Sequence, residues 1–207
     1  MLNFNENIYE NFSDLLPLDL QGWGGGRKIF RTLIDEINPI LIIEVGTWKG
    51  QSAINMASYL KEKKLEAKII CVDTWLGGME FMNSEDPRKN LIPKNGYPQI
   101  YYQFLSNVIH KGLQNYIIPF PNTSLIAARY LKNNNITSKF IYIDGSHNEQ
   151  DVLMDLNNYW KLLESGGIIF GDDYKWGSVK RAVDTFVTNN MLKITIVDDV
   201  IWIIRKS

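Results

Sequence analysis

Hydrophobic residues recur along this chain with two alternating periods. Five short runs rich in β-branched residues predict buried strands at residues 40–45, 68–73, 116–120, 140–144 and 167–171. Segments with apolar residues at helical spacing follow or separate them, at residues 28–38, 51–63, 101–111, 124–133, 149–163 and around 179–186. Two last runs, 193–197 and 200–204, predict an antiparallel hairpin. The alternation predicts a three-layer α/β sandwich whose mostly parallel, seven-stranded sheet ends in this hairpin.

Two segments carry no sustained period. Residues 76–100 combine Gly, Pro, Asn and mixed charges, which is typical of a lid or a binding loop. Near the N-terminus, Trp23 precedes three glycines, and this predicts either a hinged lid or an indole packed on the domain surface. We therefore expect an N-terminal segment at residues 1–26 and a single domain at residues 27–207, with a lid loop at residues 76–100.

Composition excludes several classes of protein. The 207 residues include 22 Lys and Arg against 23 Asp and Glu, and a net charge of −1 argues against a nucleic-acid partner. No apolar run approaches the roughly 20 residues that a membrane span needs. A single cysteine, Cys71, excludes an internal disulfide and a multi-cysteine zinc site. With no apolar signal segment in residues 1–10, these features predict a cytoplasmic location.

A glycine-containing turn follows the first predicted strand at residues 44–52 (EVGTWKGQS). Gly46 and Gly50 allow a sharp turn, and the next helix points its N-terminus at a ligand. Their spacing differs from the Gly-x-Gly-x-x-Gly of dinucleotide folds, which argues against a nicotinamide-dependent oxidoreductase. Asp73, at the end of the second strand, is placed to accept hydrogen bonds from ribose hydroxyls, and Glu44 suits a cationic amino group. The pattern favours a nucleoside ligand, and a plain strand–helix turn is the alternative.

Residues 42–53 resemble motif I of class I S-adenosylmethionine-dependent methyltransferases, and the similarity is closest to the catechol and macrolide-sugar O-methyltransferase branch. The resemblance extends from about Arg27 to Arg205. It implies a Rossmann-like fold and S-adenosylmethionine as the cofactor. The cofactor residues that it implies are Glu44, Gly46, Thr47, Ser52, Asp73, Thr74, Trp75, Ser124 and Asp144. For Trp75, which would lie near the adenine, core packing is the alternative.

Three carboxylates follow the fourth and fifth strands: Asp144, Asp172 and Asp173. Carboxyl ends of neighbouring parallel strands share one edge of a sheet, so these groups repel one another unless a cation compensates. Such oxygen ligands suit Mg²⁺, with Mn²⁺ or Ca²⁺ as alternatives. The competing interpretation is that Asp172 or Asp173 caps the next helix. The resembled metal-dependent enzymes keep carboxylates at these positions, except that catechol enzymes have asparagine at the position of Asp173.

His147 follows Asp144 by three residues and is the candidate proton acceptor. Imidazole with a pKa of about 6.5 can take a hydroxyl proton near neutrality. A surface or capping histidine is the alternative. At the matching place the catechol enzymes have lysine and the sugar-modifying relatives have histidine, so His147 and Asp144 are the predicted catalytic residues.

The predicted function is metal-assisted O-methylation of a sugar hydroxyl on a glycan or a glycosylated small molecule. Charged and aromatic residues of the loop 76–100, such as Glu80 and Tyr97, suit contacts with a sugar. Methylation of a catechol or other phenol, and a non-catalytic module of the same fold, are the alternatives. The sequence leaves a homo-oligomer open.

Overall fold

A seven-stranded sheet forms the middle layer of the molecule. The structure is a computed structural model and describes residues 8–82 and 84–207. Its strands are β1 (Leu41–Val45), β2 (Lys68–Asp73), β3 (Ile117–Pro121), β4 (Ser138–Ile143), β5 (Leu163–Gly171), β6 (Ile194–Val197) and β7 (Ile201–Arg205). They lie in the order β3-β2-β1-β4-β5-β7-β6. The first five are parallel, and β7 runs antiparallel to both β5 and β6.

Helices cover both faces of the sheet. One face packs against α1 (Ile29–Ile37), α2 (Gln51–Lys63) and α3 (Ile100–His110). The other packs against α4 (Ser124–Asn133), α5 (Glu149–Tyr159) and α6 (Gly177–Asn189). Successive strand residues point to opposite faces, so Ile42 and Ile43 of β1 belong to different cores. The predicted three-layer α/β fold is confirmed.

The boundary between α5 and β5 differs from the sequence prediction. The helix ends at Tyr159 rather than at residue 163, and the strand begins at Leu163 rather than at residue 167. Leu162 and Leu163 continue the apolar pattern of the helix, but Leu163 pairs with Ser138 of β4. Strand pairing therefore overrides the helical period at this point.

The C-terminal hairpin and the edge strand follow local backbone chemistry. Asp198 and Asp199 both adopt positive φ, 52° and 57°, as the two central residues of a hairpin turn do, and the amide of Val200 closes the turn on the carbonyl of Val197 at 3.1 Å. Pro119 interrupts no central ladder, since β3 is the edge strand of the sheet. Both predicted elements are present within about one residue of their expected bounds.

The N-terminal segment packs along the domain. Tyr9 donates a hydrogen bond to the carbonyl of Ile117 (3.0 Å), and the amide of Asp19 donates to Asn107 Oδ1 (3.0 Å). The loop 76–100 contains two single-turn 3₁₀ helices, Met79–Phe81 and Pro87–Lys89. The boundary at residue 26 and the lid role of residues 76–100 stay predictions; residues 1–7 and Asn83 of these segments lie outside the described residues.

Strand order reverses between β1 and β4. From β1 the chain proceeds through β2 to β3 on one side, and β4 and β5 lie on the other. In open α/β sheets ligands bind outside the carboxyl ends of the strands at this switch point. The polar residues that end β1, β2, β4 and β5 therefore meet at one edge.

Candidate active site

Asp73 braces the turn that follows β1. Its Oδ2 accepts hydrogen bonds from the amides of Thr47 and Trp48, each at 2.8 Å, and its Oδ1 accepts from the amide of Trp75 at 2.8 Å. Burial raises the pKa of Asp73, against the lowering effect of these backbone hydrogen bonds. The carboxylate thus fixes the turn, and its predicted contact with a ribose stays a prediction.

Glu44 lies beneath the same turn with no exposed surface. It accepts hydrogen bonds from Ser52 Oγ, from Thr47 Oγ1 (3.3 Å) and from Cys71 Sγ (3.5 Å). Burial raises the pKa of Glu44 to about 7, and these donors only partly offset the rise. Burial and the neighbouring Glu44 also raise the pKa of Cys71, so this cysteine is a protonated core residue.

Gly46 joins the ends of β1 and β4. Its φ is +84°, and a Cβ at this position would lie 2.0 Å from the carbonyl oxygen of Asp144. The amide of Asp144 donates to the carbonyl of Val45 at 2.7 Å. Only glycine fits this approach, and it brings Asp144 beside the turn.

Asp144, His147 and Asp173 form a compact group at the strand ends. One potential ligand atom from each lies within 4.8 Å of those of the other two. Tyr142, two residues before Asp144 on the same strand face, donates to Asp144 Oδ2 at 2.8 Å. Burial and the charges of Asp172 and Asp173 raise the pKa of Asp144 to about 7. This group includes two of the three predicted metal ligands.

His147 lies between two carboxylates. Its Nδ1 is 2.8 Å from Glu80 Oε1, and its Nε2 is 2.8 Å from Asp173 Oδ2 but makes no well-aligned hydrogen bond. Burial alone would lower the pKa of His147, but Asp173 and Glu80 raise it to about 9. Glu80 belongs to the loop 76–100, so this loop reaches across to the candidate proton acceptor.

Asp172 lies outside this group. It pairs with the guanidinium of Arg27, and its Oδ1 accepts from the amide of Asp173 at 2.7 Å. Asp173 adopts a left-handed backbone conformation with φ of 59°. The two neighbouring aspartates thus point their carboxylates in different directions.

Residues 21–27, called the strap below, contact both the turn and the loop 76–100. Gly25 donates to Gln51 Oε1 at 3.0 Å, and Trp48 Nε1 donates to Gln21 Oε1 at 3.2 Å. Phe81 stacks on Trp48 with ring centroids 4.6 Å apart, and Trp23 lies 6.1 Å from Trp48. Trp23 is therefore part of an aromatic cluster, although 41% of its surface stays exposed.

A cavity of about 550 Å³ adjoins His147. Polar side chains line it: His147, Asn148, Glu149, Gln150, Ser178 and Arg181. The indole of Trp176 lies 4.4 Å from the imidazole of His147, centroid to centroid, and is 49% exposed. The cavity offers space for an acceptor next to the candidate base.

A family model for a methyltransferase domain matches residues 43–174, more than half of the chain. The chain belongs to this methyltransferase family. An uncharacterised protein of Acanthamoeba polyphaga mimivirus, R132, is 29% identical over 161 residues, which cover 74% of this methyltransferase and 62% of the relative. The chain thus spans less than two thirds of the length of that relative.

Solved structures share the architecture of this methyltransferase. An O-methyltransferase from Bacillus cereus in complex with S-adenosylhomocysteine has a TM-score of 0.64 and 17% identity, covering 93% of this chain and 84% of that one. TomG from Streptomyces achromogenes, an O-methyltransferase of tomaymycin synthesis in complex with S-adenosylmethionine, has a TM-score of 0.62 and 14% identity, covering 94% and 84%. At these identities the likeness shows the fold: that of class I S-adenosylmethionine-dependent O-methyltransferases.

Three predicted cofactor residues occupy different settings in the methyltransferase. Trp75 is only 2% exposed, packs against Tyr101 and Phe104 and donates to the carbonyl of Trp48, as a core residue does; its place near the adenine stays a prediction. Thr74 is half-buried beside it. Ser124 begins α4 at the same edge of the sheet, after β3.

The sequence interpretation missed Arg27, Tyr142 and Trp176. The period of two along β4 could have indicated Tyr142, which shares a face with Asp144. No local pattern indicates Arg27, whose partner Asp172 is 145 residues away.

Within residues 8–82 and 84–207, no helix has the length and hydropathy to cross a membrane.

Proposed function

We propose that this methyltransferase transfers a methyl group from S-adenosylmethionine to a sugar hydroxyl. The observation that carries the proposal is the position of His147. It lies beside the carboxylates that end β4 and β5, and it opens onto a polar cavity. A proton acceptor, a group of potential cation ligands and room for an acceptor thus adjoin the turn after β1.

The residues at the turn suit a positively charged nucleoside donor. Glu44, Asp73 and Asp144 supply acidic groups around Gly46, and the N-terminus of α2 begins at Gln51. We assign S-adenosylmethionine to this region, with Glu44, Gly46, Thr47, Ser52, Asp73, Thr74, Ser124 and Asp144 around it. When bound, it supplies a methyl group on a sulfonium sulfur.

The charge balance at the strand ends suits a divalent cation. Glu80, Asp144, Asp172 and Asp173 carry up to four negative charges, whereas Arg27 and His147 carry up to two positive ones. Asp144 and Asp173 lie close together, and carboxylate oxygens are ligands that Mg²⁺ and Mn²⁺ accept. His147 Nε2, buried without an aligned hydrogen bond, is left for the proton of the acceptor. Such a cation would hold substrate oxygens and stabilise negative charge on the attacking oxygen.

His147 is the proposed proton acceptor. Glu80 at Nδ1 holds the imidazole in place, which leaves Nε2 directed at Asp173 and the strand ends. In its neutral form, which predominates only above its pKa of about 9, the ring takes the proton of the acceptor hydroxyl at Nε2. Asp144, held by Tyr142, lies within reach of the same oxygen.

The cavity supports a sugar acceptor over a phenol. Its six lining residues are all polar and can bond several hydroxyl groups. The exposed face of Trp176 offers a flat apolar surface of the kind on which sugar rings and aromatic rings both pack.

Cytoplasmic location, absence of a nucleic-acid partner and a homo-oligomer stay predictions.

A transfer assay tests the proposal. The protein is incubated with methyl-labelled S-adenosylmethionine and either a panel of glycosides or a panel of catechols, with EDTA or with Mg²⁺ or Mn²⁺. We expect label in glycosides only and a requirement for the cation. Label confined to catechols would contradict the sugar assignment, and full turnover in EDTA would contradict the cation.

His147→Gln tests the proton acceptor. Loss of a general base costs about 10² to 10⁴ in rate, so we expect at least a hundredfold loss of kcat. Binding of S-adenosylhomocysteine, measured by calorimetry, should be unchanged. His110→Gln is the matched control, because His110 contacts the carbonyl of Leu16 away from this group. Equal activity of the two variants would contradict the role.

A further inference from the structure

Both carboxylate oxygens of Asp172 are engaged by groups of the chain itself. Oδ2 pairs with Arg27 Nη1, and Oδ1 accepts from the amide of Asp173 at 2.7 Å. The side chain is only 5% exposed. The indole nitrogen of Trp202 donates a hydrogen bond to the backbone carbonyl of Asp172 at 3.1 Å. Asp172 is thus fixed at three points, whereas Asp173 faces His147.

The strap is shaped to deliver Arg27 to Asp172. Gly24 has φ of +72°, and a Cβ there would lie 2.6 Å from Asp172 Oδ2 and 2.9 Å from Arg27 Cζ. Asn55 Nδ2 donates to the carbonyl of Gly25 at 3.0 Å, which anchors the strap on α2. Glycine at this position therefore permits the close approach of guanidinium and carboxylate.

We propose that Arg27 is a positioning residue that holds Asp172 in an ion pair. The cation of the proposed function is therefore held by Asp144 and Asp173, and Asp172 is not one of its ligands. This inference rests on the cation site proposed above. As a third ligand, Asp172 would either bring the guanidinium of Arg27 next to the incoming cation or have to give up this ion pair, and both are unfavourable. The left-handed turn at Asp173, held by Asp172 Oδ1, directs the second aspartate to the cation instead.

Cation affinity of the full chain tests the inference. Free Mn²⁺ is titrated by electron paramagnetic resonance with the unmodified protein, with Arg27→Met/Asp172→Asn and with Asp173→Asn as the isosteric neighbour control. Removing the pair together leaves the net charge unchanged, so we expect its Kd for Mn²⁺ to stay within about threefold. Asparagine at position 173 keeps an oxygen but removes the negative charge of this ligand, which should weaken binding by at least about tenfold.

The outcomes of the Mn²⁺ titration distinguish failure of the inference from failure of the proposed function. A loss in the pair variant as large as that in Asp173→Asn would overturn the inference and leave the proposed function standing. Absence of Mn²⁺ binding by the unmodified protein would overturn the inference together with the cation of the proposed function. Circular dichroism checks folding, and Arg27→Gln/Asp172→Asn, which also keeps the net charge and the Oδ1 acceptor, replaces the pair variant if that one does not fold.

A second measurement follows Arg27 in the unmodified protein. Side-chain ¹⁵N resonances of Arg27, assigned by comparison with Arg27→Lys, are recorded before and after addition of Mg²⁺. We expect the guanidinium protons to stay slow in exchange, because the pair with Asp172 persists. Their acceleration on addition of Mg²⁺ would overturn the inference, since it would mean that the cation takes Asp172 from Arg27.

Discussion

Glu44 shows how the ionisation of a single residue of the site affects the stability of the fold. Its carboxyl group is fully buried at the end of β1, and its hydrogen-bond donors are two hydroxyls and a thiol. None of these three donors is cationic, so burial raises the pKa to about 7. The folded state therefore resists ionisation of Glu44, whereas the unfolded chain ionises it near its ordinary value of 4.5.

Stability should consequently fall with rising pH through this group. A raised pKa in the folded state gives a stabilisation that is complete below pH 4.5 and is lost as the pH rises through 7. Glu44→Gln removes the charge at nearly constant shape, so we expect its free energy of unfolding to exceed that of the unmodified protein by roughly 3 kcal/mol near pH 8. The difference should shrink towards pH 5.

Urea unfolding at several pH values measures this difference. Glu66→Gln is the control for the removal of one glutamate charge, because Glu66 is exposed. A Glu44→Gln protein less stable than the unmodified one near pH 8 would mean that the ionised carboxylate is stabilised rather than penalised.

At the scale of elements, the strap depends on one glycine. Alanine at Gly24 would place a Cβ 2.6 Å from Asp172 Oδ2 in a backbone conformation with φ of +72°. We expect Gly24→Ala to lose about 1–3 kcal/mol of stability. Gly26→Ala is the matched control two residues away, where nothing lies within 4 Å of the added Cβ. We expect it to be neutral or to stabilise by up to about 1 kcal/mol. Thermal unfolding compares them, and equal losses would show that the close approach at Gly24 is not the cause.

The elements themselves were predictable where burial imposes a period. Strand β2 and helices α2 and α4 begin and end at their predicted residues, because β2 is an unbroken apolar run between polar ends and both helices repeat apolar positions at helical spacing. The predicted end of α5 was wrong, because Leu162 and Leu163 fit a helix and a strand equally well. Only the pairing of Leu163 with Ser138 of β4 shows that β5 begins there. Contacts of the loop 76–100, such as Phe81 on Trp48, have no periodic signal.

At the scale of the whole molecule, topology assembles the candidate site from distant residues. Sequence placed Asp144, His147 and Asp173 at one edge, because all three follow parallel strands. It did not separate Asp172 from Asp173, since the separation depends on Arg27, 145 residues away along the chain. Local chemistry thus predicted which residues approach one another, and only the packed structure decides how they pair.

One sheet with a core on each face should unfold as a unit. Ile117 on β3 and Ile169 on β5 are both buried, lie in opposite cores and are separated by three intervening strands, about 19 Å. We expect Ile117→Val and Ile169→Val each to cost about 0.5–1.5 kcal/mol. Their effects should add within about 0.5 kcal/mol in the double variant. Ile69→Val combined with Ile117→Val is the matched comparison, because these two residues pair across strands in one core and the effects of their substitutions should deviate more from additivity.

Urea unfolding followed by tryptophan fluorescence and by far-ultraviolet circular dichroism should give coincident curves in every variant. Two separated transitions would mean that the two faces of the sheet unfold independently.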